Sequence, residues 1–304
     1  MAENYRLIRD SEELEDFVKW LPTLLEGECY YISLFARKKY APNSVLKADK
    51  SQLKRFTCNK KELIIPKIRQ LECAYGSYEF DNHPVPQESL CLYITPNPRS
   101  YEVATKKSLI KFADLITRKY CGYNPHQEVL SNIQSSYSRK IYFDVDFDNV
   151  DFEQTVVEIS KFINPTCLTY VKTRGGFHLL IEVDKIEQQY VKNWYQNITK
   201  LNGADIRGDN LLPIPGTYQG GFTPVLIPQT LPCFNCDSLA SRRISNIEHE
   251  FWIEDRENGE KYFHTITVKV PNYICNICKD SFTNWEATGI LEEAEENHEK
   301  ALGM

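Results

Sequence analysis

The octapeptide Ile141-Tyr142-Phe143-Asp144-Val145-Asp146-Phe147-Asp148 alternates its side chains with a period of two. That period marks a strand, with Ile141, Phe143, Val145 and Phe147 facing a core and Asp144 and Asp146 pointing together to the other side. Two carboxylates held so close repel each other when both are ionised, unless a cation lies between them. Magnesium or manganese, which prefer oxygen ligands, would supply that cation. An acidic strand face that is merely solvated is the plain alternative. An EF-hand is a second one, because Asp144, Asp146 and Asp148 mimic its first ligands. It fails at the sixth position, Asn149 rather than Gly, and at the twelfth, Thr155 rather than Glu.

Downstream, DFEQTVVEISKFI (151–163) predicts a helix, and TCLTYVKTRGGFHLLIEV (166–183) a β-hairpin turning at Gly175–Gly176. EQQYVKNWYQNITKL (187–201) predicts another helix, and the chain returns to extended structure after Asp205. A β-α-β-β-α-β order is that of the split βαβ module, within an α+β fold class. Upstream, SEELEDFVKWLPTLL (11–25) reads as an amphipathic helix starting near Ser11, with glutamates in its first turn. YYISLFARKK (30–39) and SLCLYITPNP (89–98) read as strands. SYEVATKKSLIKFADLITRKY (100–120) reads as a helix with apolar positions at helical spacing from Val103 to Ile116.

Three further features carry chemistry. The glycines of TRGGFH let the backbone approach a ligand closely, Arg174 offers a fixed positive charge, and His178 stands two residues beyond the turn. Asp205 opens an extended segment and could complete a three-carboxylate metal site. Asp209 competes for that role, and both also suit plain turns.

The order DVD, then TRGGFH, then an acid followed by LLPIPGT resembles the archaeo-eukaryotic primase superfamily, and more its compact bacterial, viral or plasmid primase-polymerases than the small primase subunits. The resemblance spans roughly residues 28 to 230. It implies an RRM-like primase-polymerase core in which Asp144, Asp146 and Asp205 hold two divalent metal ions, magnesium or manganese. It implies that His178, Arg174, Gly175 and Gly176 meet the triphosphate tail, with Asn97 and Arg99 of LYITPNPR near the nucleotide. The implied activity is template-directed DNA or RNA synthesis from nucleoside triphosphates onto a 3′-hydroxyl, with release of pyrophosphate.

From about Leu231 the character changes, which places a boundary near residue 230 and divides the chain into 1–230 and 231–304. Cys233-x2-Cys236 and Cys275-x2-Cys278 have the spacing of a tetrahedral four-thiolate zinc site. The segment between them, FWIEDRENGEKYFHTITVKV (251–270), reads as the hairpin of a zinc ribbon turning near Asn258–Gly259, and a helix closes the chain. The zinc would be structural. Cys29, Cys58, Cys73, Cys91, Cys121 and Cys167 show no ligand spacing and read as small core residues.

Over 304 residues the net charge of −6 argues weakly against a nucleic-acid partner, but its distribution argues the other way. Between Arg37 and Lys67 ten basic residues meet two acidic ones, Asp49 and Glu62. Arg37, Lys38, Lys39, Lys54 and Arg55, with Arg242 and Arg243 near the first cysteine pair, are the candidates for gripping a phosphate backbone. A solvated lysine-rich face is the alternative. The charged N-terminus and the absence of any long apolar run predict a cytoplasmic or nuclear protein, neither secreted nor membrane-bound. Expected partners are a single-stranded DNA template, a primer strand and nucleoside triphosphates. No GxxxxGK[ST] motif occurs, so a helicase or other replication or repair protein would be a separate chain. Two other readings use the same residues: a non-catalytic nucleic-acid-binding zinc-ribbon protein, and a metal-dependent nuclease.

Overall fold

The computed structural model describes residues 4–117, 124–206, 211–228, 230–232, 235, 239–254, 261–275, 281–283 and 285–302. It is a mixed α+β protein whose described strand pairs are antiparallel. The chain divides into two compact units, 1–152 with 170–226, and 153–169 with 227–304.

The first unit opens with α1 (Ser11–Trp20). Its N-terminal amides at Glu12 and Glu13 are received by the side chain of Asp10, and Leu14, Phe17 and Val18 form its buried stripe. Strand β1 (Glu28–Arg37) is buried along nearly its whole length, which suits its unbroken apolar run and its place inside a sheet. It pairs on one side with β2 (Lys50–Cys58) and on the other with β3 (Leu90–Ile94), and Leu212–Pro213 adds beyond β3. The β1–β2 register shifts after Leu34: Leu34 faces Lys54 but Phe35 faces Gln52, so Leu53 is left without an opposite residue. Such a bulge re-aims every side chain after it. Here it puts Lys50, rather than Ser51, directly opposite Arg37.

The next elements are α2 (Tyr101–Ile116) and α3 (Pro125–Gln134), the latter not expected from the sequence. The apolar periodicity of α2 does not mark its buried face. Ala104 and Ser108 are buried, and Ser108 accepts a hydrogen bond from Asn132 of α3 at 3.0 Å. Leu109, Ile110 and Ile116 are 61%, 73% and 85% exposed.

The second sheet runs in the order β7 (Ala204–Asp205), β4 (Tyr142–Asp148), β6 (Gly176–Glu182), β5 (Leu168–Lys172), of which Tyr170–Lys172 belong to the first unit. Val225–Pro228 adds beyond β5 as a fifth strand, so in chain order the sheet runs fourth–first–third–second–fifth. Its second helix is shorter than the sequence suggests, since only Trp194–Ile198 is α-helical. On the apolar face Phe147 stacks on Phe177 at 4.9 Å, and Phe143 meets Trp194 edge-on at 5.4 Å. Burying rings of this size stabilises by about 1.5–3 kcal/mol each. Leu180 of β6 and Val171 of β5 join the main core with Leu34 and Ile94 of the first sheet. Cys29, Cys58 and Cys91 are also fully buried in this unit.

In the second unit Leu239–Glu254 and Lys261–Cys275 form one long hairpin, registered from Ala240↔Cys275 to Glu254↔Lys261. Thr230–Pro232 and Ser281–Thr283 pair along its edges, and the helix Trp285–Leu302 packs against it through His298 and His264 at 3.2 Å. The expected turn at Asn258–Gly259 lies outside the described residues, as do Cys233, Cys236, Cys278 and Cys121; Cys275 is buried at the hairpin's end. No helix among the described residues is long and apolar enough to cross a membrane.

Candidate functional site

The register of the second sheet sets Asp205, Asp146 and His178 side by side. Asp205 of β7 is opposite Asp146 of β4, and Asp146 is opposite His178 of β6. Directly opposed residues share a face, so the three side chains emerge together, with Asp144 two residues along the same strand. Gly176, the partner of Asp148, is fixed by crowding. A Cβ there would lie 1.8 Å from the carbonyl oxygen of Phe147, so the glycine serves a close approach of two strands rather than of a ligand.

His178 and Asp144 are 6% and 4% exposed. His178 donates from Nδ1 to Asp144 Oδ1 at 3.0 Å, and its Nε2 lies 3.7 Å from Asp146 Oδ1. Burial alone would lower the imidazole pKa. The charge of Asp144 and its hydrogen bond, with Asp146 and Asp148, outweigh burial and push it up to about 9. The imidazole of His178 thus lies between the two carboxylates, hydrogen-bonded to Asp144 and 3.7 Å from Asp146. Asp146 titrates above the usual carboxylate range because it is desolvated; His178 opposes that shift, while Asp148, Asp144 and Asp205 add to it. The second oxygen of Asp144 is buried without a hydrogen-bond partner.

Asp146, Asp148, Asp205 and His178 line a cavity of about 190 Å³. Its other wall comes from the first sheet and the segment after it, with Arg37, Lys39, Tyr40, Lys50 and Tyr93. Arg37 donates to the Tyr93 hydroxyl at 2.9 Å and to Asp49 at 3.3 Å. The Lys50 ammonium sits 4.2 Å from the centre of the Phe35 ring and 4.8 Å from that of Tyr93. Gln219 closes the floor, accepting from the Arg174 amide at 3.0 Å and donating to the Tyr40 hydroxyl at 3.1 Å.

Several residues expected at the site do other work. Arg174 is not on the cavity lining. Its guanidinium donates to the carbonyl of Gly220 at 2.6 Å and lies over the Tyr40 ring at 4.9 Å. Asn97 is buried away from the lining, where it accepts from the amides of Ile141 and Tyr142 and donates to the carbonyl of Tyr142, pinning the start of β4. Arg99 is fully buried over the Tyr137 ring at 3.9 Å. Arg55 is committed to Gln127 and Ser131 of α3. Lys38 is half-buried, and Lys39 and Lys54 are exposed. The backbones of Arg242 and Arg243 lie in the long hairpin opposite Tyr273 and Asn272. Asp209 lies outside the described residues.

Tyr93, Tyr40 and Gln219 escaped the sequence reading, and Lys50 entered it only as one of the ten basic residues between Arg37 and Lys67. The one available signal was Gln219, a polar residue set against two glycines in GTYQGGF. Among the described residues no three histidine, cysteine or acidic side chains converge closely enough to hold a metal ion as they stand. The donor set nevertheless fits magnesium or manganese in kind, since it is all carboxylate and one buried oxygen has no partner. The chain matches no protein-family model, no curated protein and no solved structure.

Proposed function

We propose that the chain is a metal-dependent nucleotidyltransferase of the primase or primase-polymerase kind, extending a strand from nucleoside triphosphates. The observation that supports this best is the row Asp205–Asp146–His178, with Asp144 beside it, at a cavity whose opposite wall is cationic. A cavity acidic on one side and basic on the other suits a polyphosphate that brings its own cations. Asp144, Asp146 and Asp205 would hold magnesium or manganese, which when bound supplies Lewis acidity and neutralises the departing pyrophosphate.

The protein's own groups act by placement and charge. His178 keeps the buried Asp144 neutralised while no substrate is bound. Asp146 and Asp205, fixed on paired strands, would hold metal ions in register with each other, and those ions would supply the positive charge that a phosphate beside the 3′-hydroxyl needs. A single-stranded template, a primer and a helicase or repair factor on another chain are the partners this reading implies. A structural zinc at Cys233, Cys236, Cys275 and Cys278 would fix the end of the second unit, and elemental analysis of the purified protein should find one per chain.

The test is incubation with labelled nucleotides, magnesium or manganese and a primed or unprimed single-stranded template. Strand growth with pyrophosphate release, lost in Asp146→Ala, is the expected result. Template shortening without growth would make the chain a nuclease. Template retention with neither reaction would make it a non-catalytic binder.

A further inference from the structure

The bulge at Leu53 has delivered two cations to one spot, and nothing in the acidic wall explains them. Arg37 and Lys50 stand directly opposite each other on β1 and β2 and both line the cavity. Like charges opposite each other in a ladder are destabilising; Asp49 joins Arg37 at 3.3 Å, which leaves Lys50 as the member of the pair held by ring faces rather than by a carboxylate. We infer that Arg37 and Lys50 form the polyphosphate-binding wall, taking the triphosphate tail in place of Arg174 and His178.

Four observations support this assignment. First, the Lys50 ammonium is held by ring faces, and no carboxylate among the described residues lies within ion-pair distance of it. Packing against the two rings, and then the charge of Arg37, lower its pKa, although the residue as a whole is exposed. Second, Arg37 keeps a buried Nε without a partner, although its other nitrogens reach Tyr93 and Asp49. Third, the alternative cations are already engaged, Arg174 with Gly220 and Tyr40, and His178 with Asp144 and Asp146. Fourth, about 190 Å³ is less than the roughly 300 Å³ at which pockets for whole small-molecule ligands begin. A space of that size suits a phosphate tail with its metal, and its open side leaves room for sugar and base outside.

That the ligand is a nucleoside triphosphate rests on the nucleotidyl-transfer reading; the anion subsite itself does not. The full chain is titrated calorimetrically with sodium tripolyphosphate and magnesium, and nucleotide KM and kcat are measured in parallel. Lys50→Gln should weaken tripolyphosphate binding about tenfold or more, the scale of losing a hydrogen bond to a charged group. Lys50→Arg should restore most of it, and Arg174→Gln should stay close to wild type. For incorporation, Lys50→Gln should raise KM and leave kcat nearly unchanged. Unchanged tripolyphosphate binding in Lys50→Gln, with loss in Arg174→Gln, would overturn the assignment. Should Lys50→Gln misfold by circular dichroism, the Lys50→Arg and Arg174→Gln pair still decides, since binding lost only in Arg174→Gln overturns it equally. If wild type never incorporates nucleotide but still binds tripolyphosphate through Lys50, the polymerase reading falls and the subsite stands.

Discussion

On one wall of the cavity Asp205, Asp146 and His178 arrive as neighbours on three paired strands; on the other, Arg37, Lys50 and Tyr93 arrive from β1, β2 and β3, two of them aligned only by a bulge. On the acidic wall the imidazole of His178 lies between Asp144 and Asp146, with Asp148 and Asp205 also on the cavity lining. On the basic wall Arg37 pairs with Asp49 and the Tyr93 hydroxyl, while the Lys50 ammonium lies on ring faces. The two walls thus divide by charge, carboxylates in excess on one and cations on the other, and a ligand that carries both metal cations and phosphates matches that division.

The sharpest way to break the contrast is Asp146→Ala. Incorporation should fall by at least about 10²-fold, the scale of losing one group that stabilises charge at a reacting centre. The fold should survive, and near wild-type polymerisation would remove the acidic wall from catalysis. Gly176→Ala attacks the same wall through its backbone, because the added Cβ meets the carbonyl of Phe147. Thermal unfolding should report a loss of about 3 kcal/mol, at the upper end for overpacking, and an unchanged melting curve would refute the crowding. Asp205→Asn should cut incorporation about tenfold or more, the scale of losing a metal-site partner, while Asp209→Asn should cost little. The reverse order would move the third acid four residues along.

Arg55→Ala tests the other side. Its guanidinium serves α3, so stability should drop by about 1 kcal/mol, measured by urea unfolding. Affinity for single-stranded DNA and its salt dependence should not change; a shallower salt slope would return Arg55 to the phosphate track. A pH-dependent effect concerns Glu28, at the end of β1 away from Arg37. Hydrogen bonds from Arg139 pull its carboxyl down to about 2 from an ordinary 4.5, against the opposing push of burial. A depressed folded value means the contribution is present in full above pH 4.5 and is lost as pH falls through about 2. Acid titration of Glu28→Gln should show a flatter limb in that window.

The acidic wall was legible because strand alternation is local. Seven residues of β4 carry it, and TRGGFH announces the neighbouring strand. The basic wall was not, because the place of Lys50 depends on Leu53 dropping out of register, which no local pattern signals. Composition even misdirected the reading. The basic run from Arg37 to Lys67 looked like one track, yet Lys61 caps the carbonyls of Lys19 and Leu21, and Lys67 donates to that of Thr57. On α2 the misreading has a simple cause: small residues, Ala104 and Ser108, make the helix contact, and the larger apolar ones face outward.

The buried cysteines of the first unit give the molecule a clock. Burial pushes the thiols of Cys29 and Cys58 up to about 11 and that of Cys91 up to about 12. Alkylating reagents attack the thiolate, so these sulfurs stay silent until the unit around them opens. When reagent outpaces reclosing, the labelling rate equals the opening rate itself. Timed with and without tripolyphosphate, the same three sulfurs would report how long a bound anion keeps the first unit shut.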